Sequence, residues 1–212
     1  MLTIACVQVG NYLGMGERYV RRLKSAVEKH VTLTHRFVCL TDHPIAGVNC
    51  IPSAHGGWWE KLSIFRPGLF EGRVMFLDLD TFILENIDDV ASYSGHFATL
   101  HDFWRPQGLG PAVMLFDQKW AEFIWQEWAA EGFPKTLPSG DQGWIESRHQ
   151  GRMRKDVDIL QELYPGTFHS YKTTCMEGVP AGCRVCCFHG RPRPHEAKGW
   201  PQTYWEEQCS QS

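Results

Sequence analysis

Arg73-Val-Met-Phe-Leu-Asp78-Leu-Asp80-Thr-Phe-Ile-Leu-Glu-Asn-Ile-Asp-Asp-Val90 is the stretch of this 212-residue chain whose reading decides the fold. Val74–Leu77 is continuously apolar, the pattern of a strand covered on both faces. It runs directly into Asp78-Leu79-Asp80. Along a strand, residues i and i+2 project to one side, so Asp78 and Asp80 are expected together at its carboxyl end. Open α/β sheets bind ligands at that edge. Two adjacent carboxylates repel unless a cation or proton intervenes, so a divalent metal bridging to a diphosphate is the economical functional reading. A solvated turn after a strand is the bland one, and the tripeptide alone leaves both open.

Outward from this block, strands alternate with helices. Thr3–Val9 is a short apolar run followed by a loop with Gly10, Gly14 and Gly16. Glu17–His30 places Tyr19, Val20, Leu23, Ala26 and Val27 at helical spacing, with basic residues expected on the opposite side. Arg36–Leu40 and Pro111–Phe116 read as further buried strands, Phe168–Lys172 and Arg184–Phe188 as short late ones. Helices are expected over Glu60–Arg66, Gln118–Glu131 and Asp141–Arg148. Strand-helix alternation predicts an α/β fold, a single domain over residues 1–200 with a mostly parallel central sheet and helices on both faces. Residues 201–212 read as a polar C-terminal tail.

Composition narrows the function classes. A net charge of -3 with 21% charged residues argues against a globally basic nucleic-acid binder. No apolar run approaches the roughly 18 residues of a membrane span, and Met1–Val9 reads as a strand, not a signal peptide. A cytoplasmic protein with reduced cysteines is expected. Of the eight cysteines only Cys183-x-x-Cys186-Cys187 is clustered, with Cys175 nearby. Zinc would want a second ligand pair, and small buried hydrophobes entering a strand are the plainer reading.

In ordered blocks from Thr3 to Pro194, the chain resembles nucleotide-sugar glycosyltransferases of the GT-A (Rossmann-like) fold. It looks most like family 8, the retaining family of glycogenin and bacterial galactosyl- and glucosyltransferases. The Arg73–Val90 block with its DxD motif carries the resemblance furthest. Trp59-Glu-Lys61-Leu is similar to the family's lysine-leucine element, and Gly140-Asp-Gln-Gly143 to its aspartate-glutamine motif. Phe188-His-Gly-Arg-Pro-Arg-Pro194 resembles the late His-x-x-Gly-x-x-Lys-Pro element.

Carried over residue by residue, the resemblance implies that Asp78, Asp80 and His189 hold a metal ion. Imidazole with two carboxylates suits Mn²⁺ well and Mg²⁺ less well. Lys61 would face the donor phosphates or sugar, and Asp141 and Gln142 the transferred sugar or the acceptor. Gly190 and Arg193 would approach the diphosphate, Arg193 standing where the family has lysine and adding a bidentate fork. Val9, Asn11 and Tyr12 would cradle the nucleoside, with Tyr12 the candidate for stacking on the base. Bland readings stand beside these: Asp141 as a helix N-cap, Lys61 as a solvated charge, His189 as a turn residue.

The chain departs from the family at three places. Gly110-Pro111-Ala112 replaces Asn-Ser-Gly, removing an amide expected near the sugar. The histidine-glycine spacing is shortened to His189-Gly190, and His195 stands where tryptophan follows the last proline. The implied function is metal-dependent transfer of a sugar from a UDP-sugar to an acceptor hydroxyl, with retention. Competing readings are a nucleotidyltransferase acting on sugar phosphates and a non-catalytic carbohydrate or nucleic-acid binding module. Tryptophans 58, 59, 104 and 144, in or beside loops, and the basic run Arg148–Lys155 motivate the last.

Overall fold

Apolar residues placed on alternate sides of the central strands divide the interior into two cores, one on each face of a seven-stranded sheet. The computed structural model describes residues 1–150 and 156–210. In chain order the elements are β1 (Leu2–Gln8), α1 (Gly16–His30), β2 (His35–Thr41), β3 (Asn49–Pro52), β4 (Arg73–Leu77) and β5 (Thr81–Ile83). Then come α2 (Asp88–Ala91), β6 (Phe97–His101), β7 (Leu109–Asp117), α3 (Gln118–Ala130) and α4 (Gly140–Gln150). The last are β8 (Val157–Ile159), α5 (Leu160–Leu163), β9 (Phe168–Ser170), β10 (Val185–Cys187) and α6 (Trp200–Ser210).

The large sheet has the order β3-β2-β1-β4-β7-β6-β8, with β7 antiparallel to both neighbours and the other pairs parallel. A second sheet, β5-β10-β9, stands beside it. Ile4, Cys6, Met75, Leu77, Val113 and Leu115 join the core under α1, while Ala5, Val74, Phe76, Met114 and Phe116 join the core that α3 and α4 cover. This period of two is why the strands read as unbroken apolar runs. The expected α/β architecture with helices on both faces is present.

Four local readings change. Glu60–Arg66 is not an α-helix but part of a 3-10 stretch, Gly57–Phe65. Pro111 lies inside β7, where the pairing with β6 shifts register between Thr99 and Leu100; a bulge tolerates a residue that cannot donate to the ladder. Residues 201–210 of the expected tail belong to α6, because Trp200, Tyr204 and Trp205 give that helix an apolar stripe against Tyr19 and Phe82. Trp205 is buried there. Finally, Arg22 is not on the solvent face of α1. It is fully buried, and its Nη2 donates to the carbonyls of Leu79 and Thr81, both at 2.7 Å.

Cys175, Cys183, Cys186 and Cys187 are buried free thiols around β10. Of the basic run, Arg148 donates to Glu127 of α3 at 2.8 Å and lies over the Trp144 ring; Arg152, Arg154 and Lys155 are outside the described residues. Among the described residues no helix is long and apolar enough to cross a membrane.

Candidate active site

Strand β4 ends at Leu77, and the next three residues leave the sheet as a turn. The carbonyl of Asp78 accepts from the amide of Thr81 at 3.1 Å, so Asp78 and Asp80 are not alternate residues of a strand as expected. Both carboxylates nevertheless line one cleft, of about 430 Å³, at the carboxyl end of β4. The buried Arg22 grips the carbonyls on either side of Asp80 from beneath and fixes this turn. Its spacing three residues after Tyr19, on the apolar stripe of α1, was the signal available in the sequence.

The lysine, aspartate-glutamine and late histidine blocks converge on the same cleft. Lys61, from the 3-10 stretch, lies 2.8 Å from Asp78 Oδ1 and 3.1 Å from Asp141 Oδ2. Burial works to lower its pKa, but Asp141 and Asp78 more than reverse this and keep the ammonium charged. Asp141 lies in the first turn of α4, one residue inside its start at Gly140 and so not at the N-cap, and it is buried and aimed at Lys61. Gln142 Nε2 donates to Asp102 Oδ2 and to the Leu109 carbonyl, each at 2.8 Å, which holds the side chain in the wall. Where the replaced Asn-Ser-Gly would stand, the Pro111 carbonyl is 3.4 Å from Lys61 Nζ.

Burial pushes the Asp78 carboxyl up to about 7, with Lys61 opposing and Asp80 and Asp141 adding to the rise. Asp80 is raised by burial in the same way, against the pull of Arg193, whose Nη1 is ion-paired with its Oδ2. Strand register carries Arg193 into place: Thr81 pairs with Cys187 across β5 and β10, and the Phe188 amide donates to the Asp80 carbonyl at 3.2 Å. Gly190, at φ 68, then turns the chain back toward the cleft.

His189 lies in the cleft wall with both ring nitrogens engaged. Trp104 Nε1 donates to Nδ1 at 3.1 Å, so the proton sits on Nε2, which reaches Ser170 Oγ at 2.7 Å. Burial and the nearby Lys172 lower its pKa and keep it neutral. Its ring is stacked parallel to Phe103 at 6.0 Å. By donor type, two carboxylates and an imidazole suit a divalent ion. Here, however, a protein cation already faces each carboxylate and both imidazole nitrogens are bonded. Among the described residues, no three His, Cys, Asp or Glu side chains are grouped to hold a metal ion. The expected Asp78, Asp80 and His189 set, as arranged, does not fit Mn²⁺ or Mg²⁺.

The expected nucleoside loop is next to this cleft. Asn11 lines a second cavity with Gln8, Gly10, Gly16 and His43, whereas Val9 lines neither. The loop is braced: Gln8 Nε2 donates to the Gly10 carbonyl at 2.7 Å, and the Gly10 amide to Asp42 Oδ2 at 2.8 Å. Tyr12 adopts φ 33, unusual for a residue with a side chain, and its ring lies under the Arg193 guanidinium. Sequence reasoning missed Arg22, Asp102 and Ser170, none of which belongs to a local motif.

No protein-family model matches the chain, and no curated protein matches it in sequence. Solved structures do resemble it. The glycosyltransferase GlyE of Streptococcus pneumoniae TIGR4 superposes with a TM-score of 0.72 at 14% identity, covering 97% of this chain and 59% of GlyE. The galactosyltransferase LgtC, solved with donor and acceptor sugar analogues, gives 0.68 at 12% identity, over 99% of this chain and 95% of LgtC. The bifunctional glycosyltransferase WbbM gives 0.71 at 11% identity, over 100% of this chain and 50% of WbbM. The chain thus spans little more than half of GlyE and half of WbbM but nearly all of LgtC. Likeness of this extent, with the sheet order and the two-sided core, establishes that the chain has the GT-A fold of these glycosyltransferases.

Proposed function

We propose that the protein is a cytoplasmic glycosyltransferase that moves a sugar from a nucleoside diphosphate sugar, a UDP-sugar, to an acceptor hydroxyl. The observation that carries this reading is the meeting of Lys61, Asp78, Asp80, Asp141 and Arg193 in one cleft at the carboxyl end of β4. Asn11 and Tyr12, in the loop after β1, would take the nucleoside, with Val9 as a backbone neighbour. The diphosphate would lie toward Gly190, Lys61 and Arg193, and the sugar toward Asp141 and Gln142.

In the transfer, the bond from the anomeric carbon to the diphosphate oxygen breaks and the bond to the acceptor oxygen forms. The acceptor proton passes to the departing phosphate. Negative charge grows on the diphosphate as it leaves, and two cations preset beside it stabilise that charge without reorganising. Lys61 and Arg193 are those cations. Asp141 is held by Lys61 in a positioning role, not offered as a nucleophile, so attack from the face of the leaving group, with retention, is the proposed course.

The test is release of UDP from a panel of UDP-sugars, with Mn²⁺, with Mg²⁺ and with a chelator. Asp80→Ala should lower turnover, because it leaves Arg193 without the partner that positions it, and unchanged turnover overturns the proposal. If Lys61 and Arg193 suffice for the diphosphate, release persists in chelator. A strict requirement for Mn²⁺ would instead overturn the reading that Lys61 and Arg193 suffice for the diphosphate. Pyrophosphate released from nucleoside triphosphates and sugar phosphates would establish the nucleotidyltransferase reading in its place.

A further inference from the structure

The chain has nine tryptophans, of which two stand exposed among the described residues: Trp58 at 78% and Trp104 at 62%. Both line the cleft that holds Asp78 and Asp80. Single exposed aromatics are ordinary on protein surfaces, but the coincidence of both in one cleft is not. Trp59 and Trp144, also beside loops, are buried instead.

The neighbours of each ring account for its exposure in the cleft. Trp59 is buried against Trp128, which turns the adjacent Trp58 outward on the 3-10 stretch. Gly140, at φ 56, borders the Trp58 ring, and a Cβ there would make an ordinary contact of 3.5 Å with Trp58 Cε3. Trp104 is fixed at both ends. Its amide donates to Asp102 Oδ1 at 2.8 Å, and its indole N–H to His189 Nδ1 at 3.1 Å. The His189 tautomer that accepts this bond carries its proton on Nε2 and donates it to Ser170 Oγ. An indole anchored by its edge keeps its faces available, so it is organised before any ligand arrives.

We propose that Trp58 and Trp104 form an aromatic clamp for a pyranose ring of the acceptor, with His189 as the positioning residue for Trp104. The proposal rests on the transferase reading and names the acceptor class: a saccharide. A pyranose presents an apolar C–H face for an indole and a rim of hydroxyls for polar groups, and Ser139, Asp102 and Gln142 line the same cleft. Charge separates a saccharide from a nucleic acid. The cleft carries four aspartates, Asp78, Asp80, Asp102 and Asp141, and with Lys61 and Arg193 assigned to the donor diphosphate it leaves no lining Lys or Arg for the phosphates of a polyanionic acceptor.

The experiment measures acceptor kinetics and direct binding with disaccharides, methyl glycosides, the open-chain polyol sorbitol and a single-stranded oligonucleotide. Saturation-transfer NMR should detect cyclic saccharides and lose them in the Trp58→Ala, Trp104→Ala double variant. In transfer assays, each single alanine variant should raise the acceptor KM about tenfold with kcat little changed, and Trp58→Phe should recover most of the loss. His189→Leu should raise the acceptor KM in the same sense as Trp104→Ala, and the two should not add, since both remove one anchored ring. Unchanged acceptor KM in both tryptophan variants, or binding of sorbitol or the oligonucleotide in place of cyclic saccharides, overturns the clamp. Saccharide binding that needs both tryptophans, with no UDP released from any donor, would uphold the clamp and overturn the transferase reading instead.

Discussion

Arg193 is ion-paired with Asp80 across 113 positions of sequence, and Asp80 is the more deeply buried partner. A carboxylate in that setting needs its cation, and the cation is also the group placed to meet a diphosphate.

Replacing Arg193 with Ala should therefore act twice. Stability should fall by about 1–3 kcal/mol in urea unfolding, because Asp80 loses a charged partner. Turnover should fall by about 100-fold, because one preset charge is missing from the leaving group. Arg193→Lys, which keeps the charge and loses the fork, should recover stability more completely than turnover. Equal recovery of both would contradict the double role.

Gly16 touches Gln8 so closely that a Cβ would stand 2.4 Å from Gln8 Nε2. Gly16→Ala should displace Gln8 from the Gly10 carbonyl and from Thr41, whose hydroxyl donates to Gln8 Oε1 at 2.9 Å. The expected result is a raised donor KM with the acceptor KM unmoved, and a stability loss of about 1–3 kcal/mol. Donor titration of the variant checks it.

Trp205 in α6 lies 4.6 Å from the Tyr19 ring, and Tyr19 is hydrogen-bonded to His195 at 2.6 Å. Trp205→Ala should cost about 3–5 kcal/mol, a core-sized loss from the last elements of the chain. A change below about 0.5 kcal/mol, the level of a surface substitution, would show that α6 does not help hold the fold.

Burial lowers the pKa of His30 and of His55, favouring their neutral forms in the folded chain. The unfolded chain takes up these protons near pH 6.5, before the folded one does. Their contribution to stability is thus complete above that pH and is lost as pH falls through the lowered folded values. This histidine contribution to the melting temperature should fall between about pH 7.5 and pH 5.5, opposite in sign to that of Asp78, whose raised carboxyl takes up its proton first in the folded chain. His55→Phe, which keeps an aromatic ring against Trp128 and Phe133, should flatten that slope.

Much of this molecule was legible because its central strands alternate between two cores, so Val74–Leu77 and Pro111–Phe116 needed apolar residues at every position. The strands β3, β5, β6 and β8 went unread because Asn49, Thr99 and Asp158 interrupt the apolar pattern of three of them and β5 follows directly on the Asp78–Asp80 turn. Within the site, Lys61, Asp78, Asp80, Asp141 and Arg193 were found from local motifs, and the structure brings them together. What motifs do not carry is the pairing among them. That His189 accepts a bond from Trp104, or that Arg22 supports the turn at Asp80, depends on contacts between segments far apart in sequence.

The small sheet β5-β10-β9 works as a caliper. Pairing of Thr81 with Cys187, and of Cys187 with Ser170, sets three distant segments to one gauge: the exit from the DxD turn, the approach to His189 and the serine beneath it. A single-residue insertion in β10 would reverse which side chains face the cleft, so the shortened histidine-glycine interval had to be absorbed after the strand, at Gly190. The same gauge makes these segments one cooperative unit in hydrogen exchange. A ligand that holds Asp80 or His189 is therefore expected to slow amide exchange across β5, β9 and β10 together.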